Sequence, residues 1–270
     1  MIAEETLRRY VARWAPLALG GLFPLLVNLV LALVSTVVVG AAMLGGGMNL
    51  LLMERNPTAL LAAAGSLGAA ALVVAIAGLV AAPFGQGGLT YAVVQVQRDQ
   101  SVSFGELWQA ALRYWGRLFR LNLIMAGAGI IMLLVFFLLR FIPLLGPLVW
   151  VIGFALVMFV LGGYGPYLVV SEELGASDAA GKAFRILTRK FVDVVLTLLV
   201  MAAAGLAVGL VTGILSLIPG LGLLVTYASQ IFLAPLAMLY LAFRYQRNIA
   251  PDLNPPGGRG RFDMGPPPGA

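Results

Sequence analysis

VVLTLLVMAAAGLAVGLVTGILSLIPGLGLLVTYASQIFLAPLAMLYLAF, residues 194 to 243, contains no Asp, Glu, Lys or Arg over 50 positions. One α-helix crosses the hydrocarbon of a bilayer with about 20 apolar residues, so this stretch is too long for one span. Its middle reads Ile218-Pro219-Gly220-Leu221-Gly222, where proline withholds an N–H and glycine frees the backbone, which divides the stretch into two helices joined by a turn. Working outward, four more charge-free stretches occupy 14–53, 56–97, 121–139 and 141–171, with lengths of 40, 42, 19 and 31 residues. Six transmembrane helices follow.

The basic residues between the spans set an orientation. Of 17 Lys and Arg, 15 fall in four clusters: Arg8, Arg9, Arg13; Arg98, Arg113, Arg117, Arg120; Lys182, Arg185, Arg189, Lys190; and Arg244, Arg247, Arg259, Arg261. Only Arg55 and Arg140 lie in the alternate connections. By the positive-inside rule the clusters are cytoplasmic, which predicts a multi-pass protein of a prokaryotic cytoplasmic membrane with both termini inside. Composition agrees: 61% hydrophobic and 10% charged residues, with a mean hydropathy of +1.00, are incompatible with a water-facing surface on a chain of 270 residues. The basic residues stand at membrane boundaries, so the net charge of +6 is a topology signal and not a nucleic-acid footprint. The charged lead of about 13 residues and the long apolar run behind it read as an uncleaved first helix.

Three boundary segments share one pattern: Arg9-Tyr10-Val11-Ala12-Arg13, Arg113-Tyr114-Trp115-Gly116-Arg117 and Arg185-Ile186-Leu187-Thr188-Arg189. Each stands before an odd-numbered span. Phe141-Ile142-Pro143-Leu144-Leu145-Gly146 resembles Leu217-Ile218-Pro219-Gly220-Leu221-Gly222, offset by 76 residues, and Ser103 precedes Ser177 by 74. The chain therefore reads as three parallel units, about 1–97, 98–171 and 172–247, the first enlarged by an insertion around Gly45 to Ala70. The fold expected is all-α: six spans in three hairpins, each preceded by an amphipathic helix lying in the cytoplasmic interface. In the second unit Phe104, Leu107, Trp108, Ala111, Trp115 and Leu118 oppose Glu106, Gln109, Arg113, Arg117 and Arg120, and Ser103 with Glu106 has capping-box spacing. In the third, Ala180, Phe184, Leu187 and Phe191 oppose Asp178, Lys182, Arg185 and Arg189, with Ser177 as N-cap. In the first, Leu7, Tyr10, Val11 and Trp14 oppose Arg9 and Arg13. Such helices suit membrane lipids, anionic phospholipids above all, and Arg9, Arg13, Arg113, Arg117, Arg185 and Arg189 are the candidate head-group contacts.

Within the spans the signals concern packing. Gly205, Gly209 and Gly213 share one face of the fifth helix, with Gly68, Ala71, Ala75 and Gly78 a comparable strip on the second; close contact inside the chain is the first reading and a homo-oligomer seam the second. Pro83, Pro166 and Pro235 interrupt the even-numbered spans, and with Gln86, Tyr91 and Tyr164 they are candidate kink and cavity residues. Asn28 and Gln230 suit interhelical hydrogen bonds.

Catalysis finds little to work with. The chain has no His and no Cys, so imidazole bases, thiol nucleophiles and ordinary zinc or copper sites are excluded, and no cofactor site is expected. Ser66, Ser216 and Ser229 lie in apolar surroundings without a base nearby in sequence. Glu172 and Glu173 are adjacent and do not converge on a helix, and Asp193 stands four residues after Arg189, at pairing distance on a helix. From Asn248 the chain turns to Pro, Gly and Arg, and 248–270 reads as a disordered cytoplasmic tail.

The boundary segments Ser103-Phe104-Gly105-Glu106-Leu107-Trp108 with Arg113-Tyr114-Trp115, and Ala179-Ala180-Gly181-Lys182-Ala183-Phe184-Arg185, resemble the six-helix membrane domain found fused to some glycerophosphodiester phosphodiesterases and its stand-alone relatives. The resemblance covers about 1–247 and implies six helices and a lipid context; no catalytic residue carries over, since the phosphodiesterase domain is not here. The function expected is that of a non-enzymatic membrane-organising or partner-anchoring component, its partner a membrane protein or a second copy of the chain, with a small permease or lipid translocator as the alternative.

Overall fold

The computed structural model describes residues 2–51, 57–142, 145–218 and 221–253, those at 45–51, 57–63, 221 and 223 by backbone alone. The tail beyond Leu253 and the segment 52–56, with Glu54, Arg55 and Asn56, lie outside the described residues, as do Pro143, Leu144, Pro219 and Gly220. The elements are α1 (Ile2–Ala12), α2 (Trp14–Leu51), α3 (Pro57–Gln97), α4 (Phe104–Leu139), α5 (Leu145–Phe159), a π-helical turn (Val160–Tyr164), α6 (Gly165–Ser171), α7 (Ala176–Arg189), α8 (Phe191–Leu215), α9 (Leu221–Arg244), a second π-helical turn (Tyr245–Ile249) and α10 (Ala250–Leu253). Among the described residues there is no strand, and six helices are long and apolar enough to cross a membrane. This is an integral, multi-pass, all-α membrane protein.

Local chemistry explains most boundaries. Ser103 accepts from the Glu106 amide at 3.4 Å while the Glu106 carboxylate accepts from the Ser103 amide at 2.7 Å, the reciprocal bonds of a capping box, so α4 starts where the sequence puts it. The separate amphipathic helix expected before the third span does not form. Nothing between Phe104 and Leu139 breaks a helix, so the amphipathic stretch runs on into the span as one rod of 36 residues, about 54 Å long. The third amphipathic helix is distinct, but its N-cap is Gly175 and not Ser177, which lies inside the first turn: Gly175 adopts the extended conformation that a cap requires. The insertion of the first unit lengthens α2 and α3 to 38 and 41 residues.

The prolines of the even spans lie within helices without ending them. Pro83 and Pro235 lie inside α3 and α9, and Pro166 follows a π-helical turn whose widened backbone accommodates the missing N–H. Near two of these prolines a backbone carbonyl also accepts from a side-chain donor. Trp115 Nε1 donates to the Val80 carbonyl at 3.0 Å, three residues before Pro83, and the Tyr10 hydroxyl donates to the Phe232 carbonyl at 2.8 Å, three residues before Pro235. Both donors belong to the repeated boundary pattern. Burial raises the Tyr10 phenol above its ordinary value, which keeps that proton in place.

α2 and α3 pack along each other, α4 lies on α3, α9 lies on α2 and touches α3, and α1 rests on α9. The buried side chains concentrate at the basic end, where Tyr164, Tyr167, Tyr245, Leu118, Leu168 and Ile186 fill one core and Phe23, Ala92, Leu107 and Ala111 a second. Phe23, Phe84 and Trp108 stack about the second, with Phe84 edge-on to Trp108 at 4.8 Å. The other end presents Leu134, Leu138, Leu210, Ile214 and Leu217 outward, a surface suited to hydrocarbon.

Candidate functional site

The basic end gathers the ion pairs found among the described residues, and two of the three arginine motifs have internal partners. Arg9 Nη1 lies 3.7 Å from Asp99 Oδ1 and Arg13 Nη2 donates to the Asp99 carbonyl at 3.3 Å. Arg113 Nη2 lies 3.1 Å from Glu173 Oε1 and Arg117 Nη1 donates to the Glu173 carbonyl at 2.9 Å. In these two units the first arginine takes the carboxylate and the second the carbonyl of one acidic residue in the connection leaving that unit, with Arg9 also 3.8 Å from Glu5 Oε1. Asp99 and Glu173 are also, among the described residues, the two non-glycine residues with positive φ, 57° and 54°. That left-handed backbone costs on the order of 1 kcal/mol or more and persists where neighbours fix it. The two arginines supply that fixing. Asp99 and Glu173 are 74 residues apart, the same offset as Ser103 and Ser177, which is the signal that would have found them.

The third motif differs. Arg185 and Arg189 are exposed on α7, and their guanidinium groups make no hydrogen bond or ion pair with another described residue; the Arg185 carbonyl accepts from the Thr188 hydroxyl at 3.2 Å. The pairing of Arg189 with Asp193 does not occur, because the chain leaves helical geometry at Lys190, φ −125° and ψ 38°, and the two no longer share a helix. Asp193 instead takes Arg244, Nη2 to Oδ1 3.3 Å, while Arg244 Nε donates to the Thr197 hydroxyl at 3.2 Å. Lys190 pairs with Asp252, which raises the lysine above its ordinary value.

Between these surface contacts lies a buried network. Glu172 accepts from Lys182 Nζ and from the Tyr245 hydroxyl, both at 2.5 Å, and Glu172 and Lys182 are each 11% exposed. Tyr167 donates to Gln97 Oε1 at 3.0 Å and accepts from Gln246 Nε2 at 3.1 Å. α3, α6, α7 and the turn after α9 thus meet through polar side chains, and a buried pair of this kind defines one arrangement of its elements. Glu172 and Glu173 point to different partners, Lys182 and Arg113, as their adjacency implies. Arg247 closes the ring on Glu5 of α1 at 3.3 Å, and Arg9 stacks over Phe243 at 5.3 Å.

The packing and cavity candidates fare differently. A Cβ built on Gly205, Gly209, Gly213, Gly68 or Gly78 meets nothing within 4 Å, so the expected close contact within the chain is not made there. Close approach belongs instead to Gly21, whose Cβ would lie 2.3 Å from the Ile231 carbonyl oxygen, and to Gly85, Gly87 and Gly88 of α3. Tyr164 is wholly buried in the core, and Tyr91 lines a polar recess of about 470 Å³ with Gln95, Asp99, Gln100, Ser101 and Glu106. An apolar groove of about 540 Å³ opens between α8 and α9, under α1, lined by Leu7, Val200, Ala204, Gly205, Leu233 and Ala237. It continues past Val208 and Ser229 into a second of about 410 Å³. Asn28 Nδ2 donates to Gln230 Oε1 at 3.2 Å, the interhelical bond its position implies.

The arrangement can hold anionic oxygens at its rim and apolar chains at its side, and its polar interior is satisfied mainly by its own groups. No family model, curated protein or solved structure matches this chain.

Proposed function

We propose that this chain is a non-enzymatic organiser of a prokaryotic cytoplasmic membrane, whose basic face lies in the cytoplasm, binds anionic phospholipid and seats a membrane-protein partner. The observation that carries the reading is the placement of charge: ion pairs close the basic end upon itself, and an apolar surface covers the rest. The likeness to the six-helix domain of the phosphodiesterase-fused family fits the same reading. Orientation is tested on a chain without native cysteine. Ser101→Cys should be shielded from an impermeant thiol reagent in intact cells and Phe141→Cys labelled; the reverse pattern removes the basic face from the cytoplasm.

One observation favours lipid translocation as a second reading, the lateral groove between α8 and α9, which is apolar and open toward the bilayer. Proteoliposomes carrying a head-group-labelled phospholipid separate the two. An organiser leaves the exchange of labelled lipid between leaflets at the rate of protein-free vesicles, and a clear acceleration transfers the assignment to a translocator.

A further inference from the structure

We infer that Arg185 and Arg189 form the head-group site for an anionic phospholipid, gripping a phosphodiester oxygen and a neighbouring ester carbonyl as the other two motifs grip one acidic residue; the inference rests on the lipid-binding reading above. The first two motifs display the grip. One guanidinium meets an anionic oxygen and the other, four residues on and on the same helix face, meets a neutral carbonyl: Arg9 and Arg13 on Asp99, Arg113 and Arg117 on Glu173. Arg185 and Arg189 repeat the spacing on α7, where Asp178, seven residues before Arg185, forms no ion pair with them, and the carboxylates of the flanking segments are engaged elsewhere. Glu172 holds Lys182, Glu173 holds Arg113, Asp193 holds Arg244 and Asp252 holds Lys190. The chain leaving the last span also continues as helix to Leu253, and no described residue there has the left-handed backbone of Asp99 and Glu173.

What the pair meets follows from its height. Phe184, expected on the face opposite the arginines, is exposed on α7 beside Arg185, and immediately beyond the helix Phe191, Val192, Leu196 and Leu199 of α8 face outward. The guanidinium groups therefore stand where a hydrocarbon-facing belt ends. In a bilayer the oxygens at that level are phosphates and glycerol esters, an anionic and a neutral acceptor close together, and arginine's planar fork suits them better than a lysine would.

The test uses the full chain in mild detergent, titrated with dioleoyl phosphatidylglycerol, dioleoyl phosphatidylcholine or inorganic phosphate and read by native mass spectrometry. The wild type should take phosphatidylglycerol in preference to the other two. The double variant Arg185→Gln/Arg189→Gln should bind it about thirtyfold more weakly with an unchanged unfolding temperature, whereas Arg113→Gln/Arg117→Gln should keep the lipid and unfold at a lower temperature. Equal phosphatidylglycerol binding by wild type and the Arg185/Arg189 variant overturns the site. So does binding that appears only in full chain carrying Asp263→Asn, which makes the tail's own carboxylate the occupant. Either result leaves the organiser reading in place, because that reading fails on lipid exchange between leaflets and not on this pair.

Discussion

The seam joining α2 to α3 and α9 differs from the seam between α8 and α9. At the first, glycines lie against backbone or ring atoms: Gly21 on the Ile231 carbonyl, Gly85 on Pro24, Gly88 on the Phe23 ring. At the second a groove lined by Gly205 runs between the helices, and Gly209 and Gly213, which do not line it, face open space. α8 is tied down mainly at its basic foot, through Asp193, Thr197 and Arg244, above the buried Glu172 and Lys182. The difference teaches that a strip of small residues permits close approach without producing it. In hydrocarbon no hydrophobic drive pushes two helices together, so contact goes where shape and polar bonds favour it.

The largest expected effect tests the foot. Lys182→Met leaves Glu172 buried beside Tyr245 without its cation and should cost about 3–5 kcal/mol, measured as reversible unfolding in mixed micelles. Glu172→Gln/Lys182→Met should recover a large part of that loss. A single variant as stable as wild type would mean that the foot does not hold the third pair of helices.

The seams are compared directly by Gly21→Ala and Gly209→Leu. The first forces a methyl into a backbone carbonyl and should cost about 1–3 kcal/mol; the second should leave the unfolding temperature of the monomer unchanged. If Gly209→Leu alters oligomer size in light scattering, the strip is a contact between copies of the chain.

A smaller contrast separates the motifs. Arg117→Gln removes the bond to the Glu173 carbonyl and should cost about 1 kcal/mol, while Arg189→Gln, with no described partner, should cost nothing measurable. Tyr10→Phe should cost a similar amount to Arg117→Gln, about 0.5–1.5 kcal/mol, from loss of the bond to Phe232. Since burial raises this phenol, its contribution is full below the ordinary tyrosine value of about 10 and declines as pH climbs from there through the raised value. A pH titration of stability that is the same for Tyr10→Phe and wild type would remove that role.

The six spans, the basic end and the capping box at Ser103 were determined by the sequence alone, because each depends on neighbours along the chain: about 20 apolar residues without charge, a cluster of arginines, a Ser three residues before a Glu. The divergence of Glu172 from Glu173 was legible for the same local reason. The tertiary structure alone decided which arginines are free. Six residues on three motifs look alike in sequence, yet four close on Asp99 and Glu173, 86 and 56 residues away for Arg13 and Arg117, and two do not. It also decided that Asp193 belongs to Arg244, that the second amphipathic stretch runs straight into its span, and that the glycine strip of α8 faces outward. Helical periodicity fixes which residues share a face but carries no record of what that face meets; in a membrane, where apolar faces have no solvent to flee, packing and a few long-range polar bonds make that choice.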